Sequence, residues 1–273
     1  MQLPGGWGVP ARAARMTLTL GARAIGRPEL GHALPDFLVI GAMKAGTTFL
    51  FAALAAHPHV IRSRRREIHF FGSKFQRGTS WYRTHFPTGI ELRRYRAMTG
   101  EGSTSYLANP DSPGRIRSVL PGVRMIALLR DPVDRAISNY FHEQRTGRET
   151  LPIAEALAAE DARQRPGHFS YRRRGLYAEQ LARYNALFPR DQLLVLKSEA
   201  LFADPQRVID RVYRFLDLDP ELGGRDYTPR NLGGYDPSQV AASVYEELTR
   251  YYAPYNERLY EMVGEDWGWR RPY

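Results

Sequence analysis

The sequence of 273 residues contains no cysteine. This absence excludes disulfide bonds and thiolate metal sites, so the fold must hold together by packing. It also fits a reducing compartment, and we expect the protein in the cytoplasm. A long hydrophobic run is missing near the N-terminus, where the apolar segment 16–20 is far shorter than the roughly 20 residues of a membrane-spanning helix. We therefore expect no membrane anchor, a poorly ordered extension over residues 1–34, and one domain over 35–273.

Lysine is scarce, since only Lys44, Lys74 and Lys197 stand among 39 basic residues. A compact ammonium on a flexible stem can follow a moving group, whereas a planar guanidinium suits fixed bidentate contacts. The net charge of +10 predicts attraction to anions such as a nucleotide, an acidic glycan, a membrane surface or nucleic acid. Because the sequence shows no zinc-ligand spacing and no known nucleic-acid module, we do not expect a nucleic-acid partner.

An apolar segment at 36–41 leads into a glycine-bounded turn that carries Lys44. Thr47 and Thr48 then open a helical stretch that ends near residue 56. Backbone N–H groups in such a turn and the positive end of the helix bind anions, and glycine lets a phosphate approach closely. Lys44 lies two residues before Gly46, unlike the Gly-Lys-Ser/Thr ending of nucleoside triphosphatases. The sequence therefore predicts a P-loop-like site for a nucleotide phosphate that need not belong to ATP.

A second strand-to-helix unit begins at the apolar run 124–129. Asp131 is placed to cap the helix over 133–144, with Pro132 at its first position. Further helices are predicted over 176–188, from 205 to 215 and towards residue 262, with another strand at 192–197. This alternation predicts a single α/β domain with a central parallel sheet flanked by helices.

Two groups of residues are candidates for chemistry. Arg130 and Ser138, at the second junction, can grip another phosphate, although an ion-paired arginine and a solvent-facing serine would look the same. Glu67 follows a run of arginines and precedes an aromatic pair, which makes it a candidate base. Taken alone, Glu67 in an ordinary salt bridge and His69 in the core remain the alternative interpretation.

These stretches resemble the sulfotransferases that use 3'-phosphoadenosine 5'-phosphosulfate (PAPS), especially the branch of heparan sulfate N- and 3-O-sulfotransferases and their bacterial relatives. The resemblance extends from about residue 36 to residue 269, and four features occur in the family's order. They are the loop 44–48, Glu67 with 69–71, the segment 129–140 and the segment 174–177.

The resemblance implies a role for each matching residue. The 5'-phosphosulfate would be bound by Lys44 and the amides of Ala45, Gly46, Thr47 and Thr48, and the 3'-phosphate by Arg130 and Ser138. Glu67 would accept the acceptor's proton, with Lys44 and His69 as further catalytic candidates, and Tyr177 would contact the nucleotide. The family's late Lys-Gly-Arg loop is replaced here by residues 230–235, where we expect Arg230 to contact the nucleotide instead. PAPS is then the co-substrate, 3',5'-adenosine bisphosphate (PAP) is the product, and no metal is needed.

The acceptor implied is a hydroxyl of a carbohydrate, a lipid or a secondary metabolite. Gly102 stands where relatives acting on heparan sulfate often carry a lysine, which weakens the case for a heparan-like polymer. The arginine runs 62–66 and 172–174 either line a cleft for an anionic acceptor or form solvated faces. Two other functions remain open: a nucleotide-dependent kinase of similar loop topology, and a non-catalytic protein that binds polyanions.

Overall fold

A computed structural model describes residues 31–163, 166–225 and 236–270. Five strands form its centre: β1 (Phe37–Gly41), β2 (Val60–Arg62), β3 (Met98–Gly102), β4 (Arg124–Leu129) and β5 (Leu193–Lys197). They lie in the order β2-β3-β1-β4-β5, and every neighbouring pair is parallel. The predicted α/β domain with a central parallel sheet is confirmed.

The helices flank this sheet and follow the strands along the chain. They are α1 (Thr47–Ala55), α2 (Gly78–Arg83), α3 (Gly89–Arg94), α4 (Ser112–Val119), α5 (Pro132–Arg145), α6 (Ile153–Ala158), α7 (Pro166–Phe169), α8 (Tyr177–Asn185), α9 (Ser198–Ala203), α10 (Pro205–Phe215) and α11 (Ala242–Val263). The predicted cap of α5 is confirmed, because Asp131 Oδ1 accepts the N–H of Val133 at 2.8 Å. Asp204 caps α10 in the same way, through the N–H of Arg207 at 3.1 Å.

The burial of the central strands explains why the junction between β1 and α1 could be predicted from the sequence. All five residues of β1 are buried, and β4 is buried from Met125 to Leu129, as strands covered on both faces require. Phe37 pairs with Gly100 on one side and with Arg124 on the other. Thus β1 lies in the middle of the sheet and its carboxyl end opens onto the edge where ligands bind in such folds.

The order of the strands in the sheet predicts where the ligand-binding crevice lies. From β1 the chain crosses to β2 and returns through β3, and it then passes to the other side of β1 to form β4 and β5. The order therefore reverses between β1 and β4, and the crevice at such a reversal is the usual binding position in open α/β sheets. The loops that follow β1 and β4 carry the two predicted phosphate motifs.

A second apolar cluster lies away from the sheet and fixes α5. It joins Val133 and Ile137 of α5 to Leu157 of α6 and to Leu248 and Tyr252 of α11. Because α5 contributes to this cluster along its length, the position of its other side chains relative to the sheet is well determined.

Packing contacts occur on the N-terminal side of the predicted domain boundary at residue 35. Ala33 is buried and its N–H donates to the carbonyl of Pro87 at 2.9 Å, while His32 Nδ1 lies 2.7 Å from the carbonyl oxygen of Phe86. Residues 1–30 of the predicted extension lie outside the described residues. Within the ranges described, no helix is both long and apolar enough to span a bilayer.

Candidate active site

The loop after β1 has the geometry of an anion cradle. Gly46 adopts φ 90°, in the left-handed region, and precedes α1 without a side-chain cap. A Cβ at Gly46 would lie 2.7 Å from the Phe202 ring, so the position requires glycine for space as well as conformation. In the described part of the chain, the N–H groups of Gly46, Thr47 and Thr48 have no acceptor. Three amides at a helix start are therefore available to a phosphate or sulfate group.

Lys44 lies at the centre of this loop with φ 70°. Its carbonyl accepts a hydrogen bond from Arg130 Nη1 at 3.3 Å, which ties the two phosphate motifs together. Burial lowers the pKa of Lys44, and the nearby charges of Arg145 and Arg130 lower it further, against the opposing effect of Glu143. The cations around Lys44 thus outweigh the carboxylate, and an anion bound here would relieve their repulsion.

The second motif is built from the end of β4 and the start of α5. Arg130 follows the last residue of β4, and Ser138 lies on α5 with 5% exposure. The carbonyl of Arg130 accepts the hydroxyl of Tyr177 at 2.9 Å, and Glu199 Oε1 accepts the N–H of Asp131 at 2.8 Å. The backbone at Arg130 is therefore held on both sides, so its guanidinium extends from a fixed base.

Glu67 and His69 share a strained turn that follows β2. Both residues have positive φ, 51° and 58°, a conformation that costs non-glycine residues about 1 kcal/mol or more. Glu67 Oε1 accepts the Thr104 hydroxyl at 3.1 Å, and its Oε2 lies 3.4 Å from His69 Nε2. Each of the two side chains is 35% exposed. This arrangement gives a carboxylate that is oriented by its neighbours and still reachable by a ligand.

The surroundings of His69 favour its neutral form. Its Nδ1 lies 3.1 Å from the Ser105 Oγ. Burial lowers the pKa of His69, Glu67 opposes that effect, and Lys74 and Arg65 reinforce it. A neutral imidazole beside Glu67 leaves the carboxylate free of a full salt bridge.

A buried carboxylate, Glu101 at the end of β3, anchors the strained turn. Its oxygens accept hydroxyl groups from Tyr82 at 2.9 Å, Tyr106 at 2.6 Å and Ser103 at 2.6 Å, and the N–H of Ile68 adds a fourth hydrogen bond. Ser103 Oγ also accepts the N–H of His69 at 3.0 Å. Burial raises the pKa of Glu101, and these hydrogen bonds counteract the rise. This network could not be predicted from the sequence, because only the fold brings Tyr82 and Ile68 to the segment that contains Glu101.

Helix α8 forms hydrogen bonds to two parts of the site, the Arg130 motif and the segment that anchors the turn of Glu67. Tyr177 at its first position donates to the carbonyl of Arg130, as described above, and Tyr184 donates to the carbonyl of Tyr106 at 2.9 Å. Both tyrosines are fully buried. One helix therefore contacts the phosphate side and the side that anchors the turn of Glu67.

A single cavity of about 1170 Å³ joins the predicted residues. Its lining includes Lys44, Gly46, Thr47, Thr48, Glu67, His69, Arg130 and Ser138. Ala45 and Tyr177 are buried behind the lining, where Ala45 accepts the Ser198 hydroxyl at 2.7 Å through its carbonyl. Their contacts with the nucleotide stay predictions, and Arg230 lies outside the described residues.

Several lining residues were not singled out from the sequence. Thr104 and Ser105 contact Glu67 and His69, and Phe202 packs against Phe49 with ring centroids 5.9 Å apart. The hydroxyl run 103–105 directly after β3 was a possible signal, because it lies at the same sheet edge as Lys44. Nowhere in the described ranges do three or more His, Asp or Glu side chains form a group that could hold a metal ion.

Comparison with known proteins identifies the family. The family model of the sulfotransferase domain matches residues 34–227 of this chain. The chain belongs to the sulfotransferase family. Its relatives are named as sulfotransferases, so the chain is an enzyme of the sulfotransferase class. Heparan sulfate glucosamine 3-O-sulfotransferase 6 of Mus musculus is 31% identical over 292 residues, which cover 96% of this sulfotransferase and 82% of the relative.

Two further relatives widen the comparison. The membrane-associated sulfotransferase kil1 of Dictyostelium discoideum is 26% identical over 318 residues, covering 87% of this chain and 67% of the relative. A crystal structure of a sulfotransferase from Alicyclobacillus acidocaldarius superposes with a TM-score of 0.74 at 32% identity, covering 88% of this chain and all of that one. The predicted resemblance to this family, and to its heparan sulfate 3-O-sulfotransferase branch, is confirmed.

Proposed function

We propose that this sulfotransferase takes PAPS as its donor and moves the sulfuryl group to a hydroxyl of a carbohydrate acceptor. The observation that carries the proposal is that Lys44, Arg130 and Glu67 line one cavity. Two separate cationic motifs match a donor with phosphates at both ends of its ribose, and the carboxylate matches the need for a base. The glycan relatives favour a carbohydrate among the acceptors considered.

The residues of the cavity divide the work of an in-line transfer. PAPS supplies an activated sulfuryl group whose leaving group is a phosphate. The amides of Gly46, Thr47 and Thr48 hold that phosphate, and Lys44 neutralises the charge left on it when the bond between sulfur and the bridging oxygen breaks. Arg130 and Ser138 hold the 3'-phosphate and so fix the donor's orientation.

Glu67 acts on the acceptor. Its carboxylate accepts the hydroxyl proton as the acceptor oxygen bonds to sulfur, and the electron pair of the broken bond stays on the 5'-phosphate. The hydrogen bond from Thr104 orients the carboxylate, and neutral His69 leaves it available as a base. A positioned base of this kind contributes about 10²- to 10⁴-fold in rate.

Donor recognition is tested by thermal shift without knowledge of the acceptor. PAP at about 100 times its Kd should stabilise the protein by roughly 2.7 kcal/mol, or about 5 to 10 °C in melting temperature. ADP with magnesium and heparin serve as comparison ligands for a kinase and for a polyanion-binding protein. A larger shift with either of them than with PAP would refute the proposal.

The base is tested with Glu67→Gln, which keeps an oxygen for Thr104. Labelled PAPS is first offered to a panel of heparan-type glycans, neutral oligosaccharides, a hydroxylated lipid and a phenol. Turnover with the acceptor so found should fall about 10²-fold or more, while PAP affinity stays within about twofold. Glu247→Gln, at an exposed position of α11, is the matched control. Near-normal turnover in Glu67→Gln would remove Glu67 from this role.

A further inference from the structure

The arginine run 172–174 splits into two environments. Arg172 contacts Asp161 at 3.1 Å and Glu160 at 3.6 Å, and Arg173 contacts Asp161 at 2.7 Å. These two arginines therefore hold the segment before α8 to the acidic pair. Arg174 points elsewhere, because it lines the cavity that contains Lys44 and Glu67.

The guanidinium of Arg174 has few hydrogen-bond partners among the described residues. Its Nη1 donates to Met43 Sδ at 3.1 Å, and no other hydrogen bond or ion pair of Arg174 occurs among the residues described. A thioether is a weak acceptor, and a guanidinium carries five N–H donors. Burial lowers the pKa of Arg174 to about 10, Arg135 adds to that effect, and Glu143 and Glu67 oppose it. Arg174 is thus a half-buried cation that faces the cavity, and among the described residues no carboxylate contacts it directly.

The position of Arg174 limits what it can bind. It touches Met43, the residue directly before Lys44, and it lies within electrostatic reach of Glu67. The sulfuryl group must travel between the loop of Lys44 and the acceptor oxygen beside Glu67. Arg174 therefore borders the path of the group that moves, whereas Arg130 is tied to the carbonyl of Lys44 and serves the other phosphate motif.

We propose that Arg174 binds the non-bridging oxygens of the donor's sulfuryl group and holds that group in line with the acceptor oxygen. The inference rests on the proposed function, since it requires PAPS in the cavity. Two cations then act on different atoms: Lys44 on the bridging oxygen and phosphate of the leaving group, and Arg174 on the sulfuryl oxygens. A planar guanidinium suits the second task, because parallel N–H groups can hold two oxygens of one group in a fixed orientation.

The difference between PAPS and PAP provides a test that needs no acceptor. PAP lacks the sulfuryl group but keeps both phosphates, so Arg174 should contribute to the affinity for PAPS alone. Both affinities are measured by calorimetry for the wild type, Arg174→Gln, Arg174→Lys and the control Arg173→Gln. Arg173 is 53% exposed and is paired with a carboxylate that is 63% exposed, so its replacement keeps the neighbouring sequence but spares the cavity. Melting temperatures verify that each variant is folded.

We expect Arg174→Gln to weaken PAPS binding about tenfold or more and to change PAP binding less than twofold. Arg174→Lys should lie between the wild type and Arg174→Gln, because it keeps the charge but loses the planar fork. Arg173→Gln should leave both affinities unchanged.

Each other outcome overturns a defined claim. Equal losses for PAPS and PAP in Arg174→Gln, or no loss for either, would overturn the role of Arg174 and leave the donor assignment intact. Normal PAPS affinity with a raised KM for the acceptor would likewise overturn it, and would assign Arg174 to an anionic group of the acceptor. A wild type that binds neither nucleotide would overturn the proposed function, and this inference with it.

Discussion

The buried carboxylate of Glu101 can be neutralised with almost no change of shape by the substitution Glu101→Gln. The groups that form hydrogen bonds with it all act as donors towards it: the hydroxyls of Tyr82, Tyr106 and Ser103 and the N–H of Ile68. Burial raises the pKa of both tyrosines, so they remain phenols that donate. A carboxylate accepts from all four, whereas an amide offers one oxygen and turns an NH₂ group towards the remaining donors.

The size of the effect follows from this mismatch. About two hydrogen bonds to a charged acceptor are lost, each worth roughly 1.5 kcal/mol or more, which gives a destabilisation of about 3 kcal/mol. For a chain of this size that corresponds to a drop of roughly 6 to 12 °C in melting temperature. The turn with Glu67 and His69 also loses its anchor, and both residues can then leave their positive φ values.

The assay combines calorimetry with ligand binding. We expect Glu101→Gln to melt at a lower temperature and to turn over more slowly, but to bind PAP with nearly wild-type affinity. The reason is that, among the described residues, no hydrogen bond joins Glu101 to the loop of Lys44 or to the Arg130 motif. Glu247→Gln is again the control for a charge removed at the surface. A melting temperature within about 2 °C of the wild type together with full turnover would refute the reasoning.

Three further predictions concern the phosphate motifs and the histidines. Gly46→Ala should weaken PAP binding and cost about 1 to 2 kcal/mol of stability, because Gly46 has a left-handed φ. The double variant with Phe202→Ala should regain only the PAP affinity and stability that are lost to crowding against the Phe202 ring. If the double variant regained both in full, the left-handed φ would have no cost. Arg130→Ala should weaken PAP far more than adenosine 5'-phosphosulfate, which lacks the 3'-phosphate, and equal losses in titrations with both would reassign that arginine. Burial lowers the pKa of His57 and of His69 below the ordinary 6.5. As the pH falls towards and below 6.5, these two histidines therefore take up protons in the unfolded chain before they do so in the native protein. The melting temperature should decrease from pH 7.5 to pH 5.5, and a constant melting temperature would contradict these shifts.

The parts of the fold that could be predicted carry their own local signals. The strands β1 and β4 are continuous apolar runs, and Asp131 and Asp204 announce helices by capping them. The phosphate loop was readable because glycine and lysine stand directly between such a strand and a helix. These features depend on neighbours in the sequence, so one sequence is enough to find them.

The strands β2 and β3 escaped prediction for physical reasons. The first has only three residues, and the second, Met98–Gly102, contains two glycines and a buried glutamate, which is a poor strand sequence by propensity. Tertiary contacts override that propensity: the ring of Phe37 occupies the space above Gly100, where a Cβ would lie 2.5 Å from it.

The candidate site was predicted by residue type but not by arrangement. Glu67 and His69 were found as candidates, yet their positive φ values and their support by Thr104 and Ser105 depend on residues more than 30 positions away. The different environments of Arg173 and Arg174 could not be predicted, because the sequence shows only three consecutive arginines. The path of the backbone before α8 decides which guanidinium enters the cavity.

The two tyrosines of α8 make the spacing across the cavity a property of one helix. Tyr177 fixes the backbone from which Arg130 extends, and Tyr184 fixes Tyr106, which in turn holds the carboxylate beneath the turn of Glu67. The distance between Arg130 and the turn of Glu67 is therefore constrained by contacts within the protein that involve neither substrate. Surface loops can then diversify to admit new acceptors while the reacting distance stays unchanged.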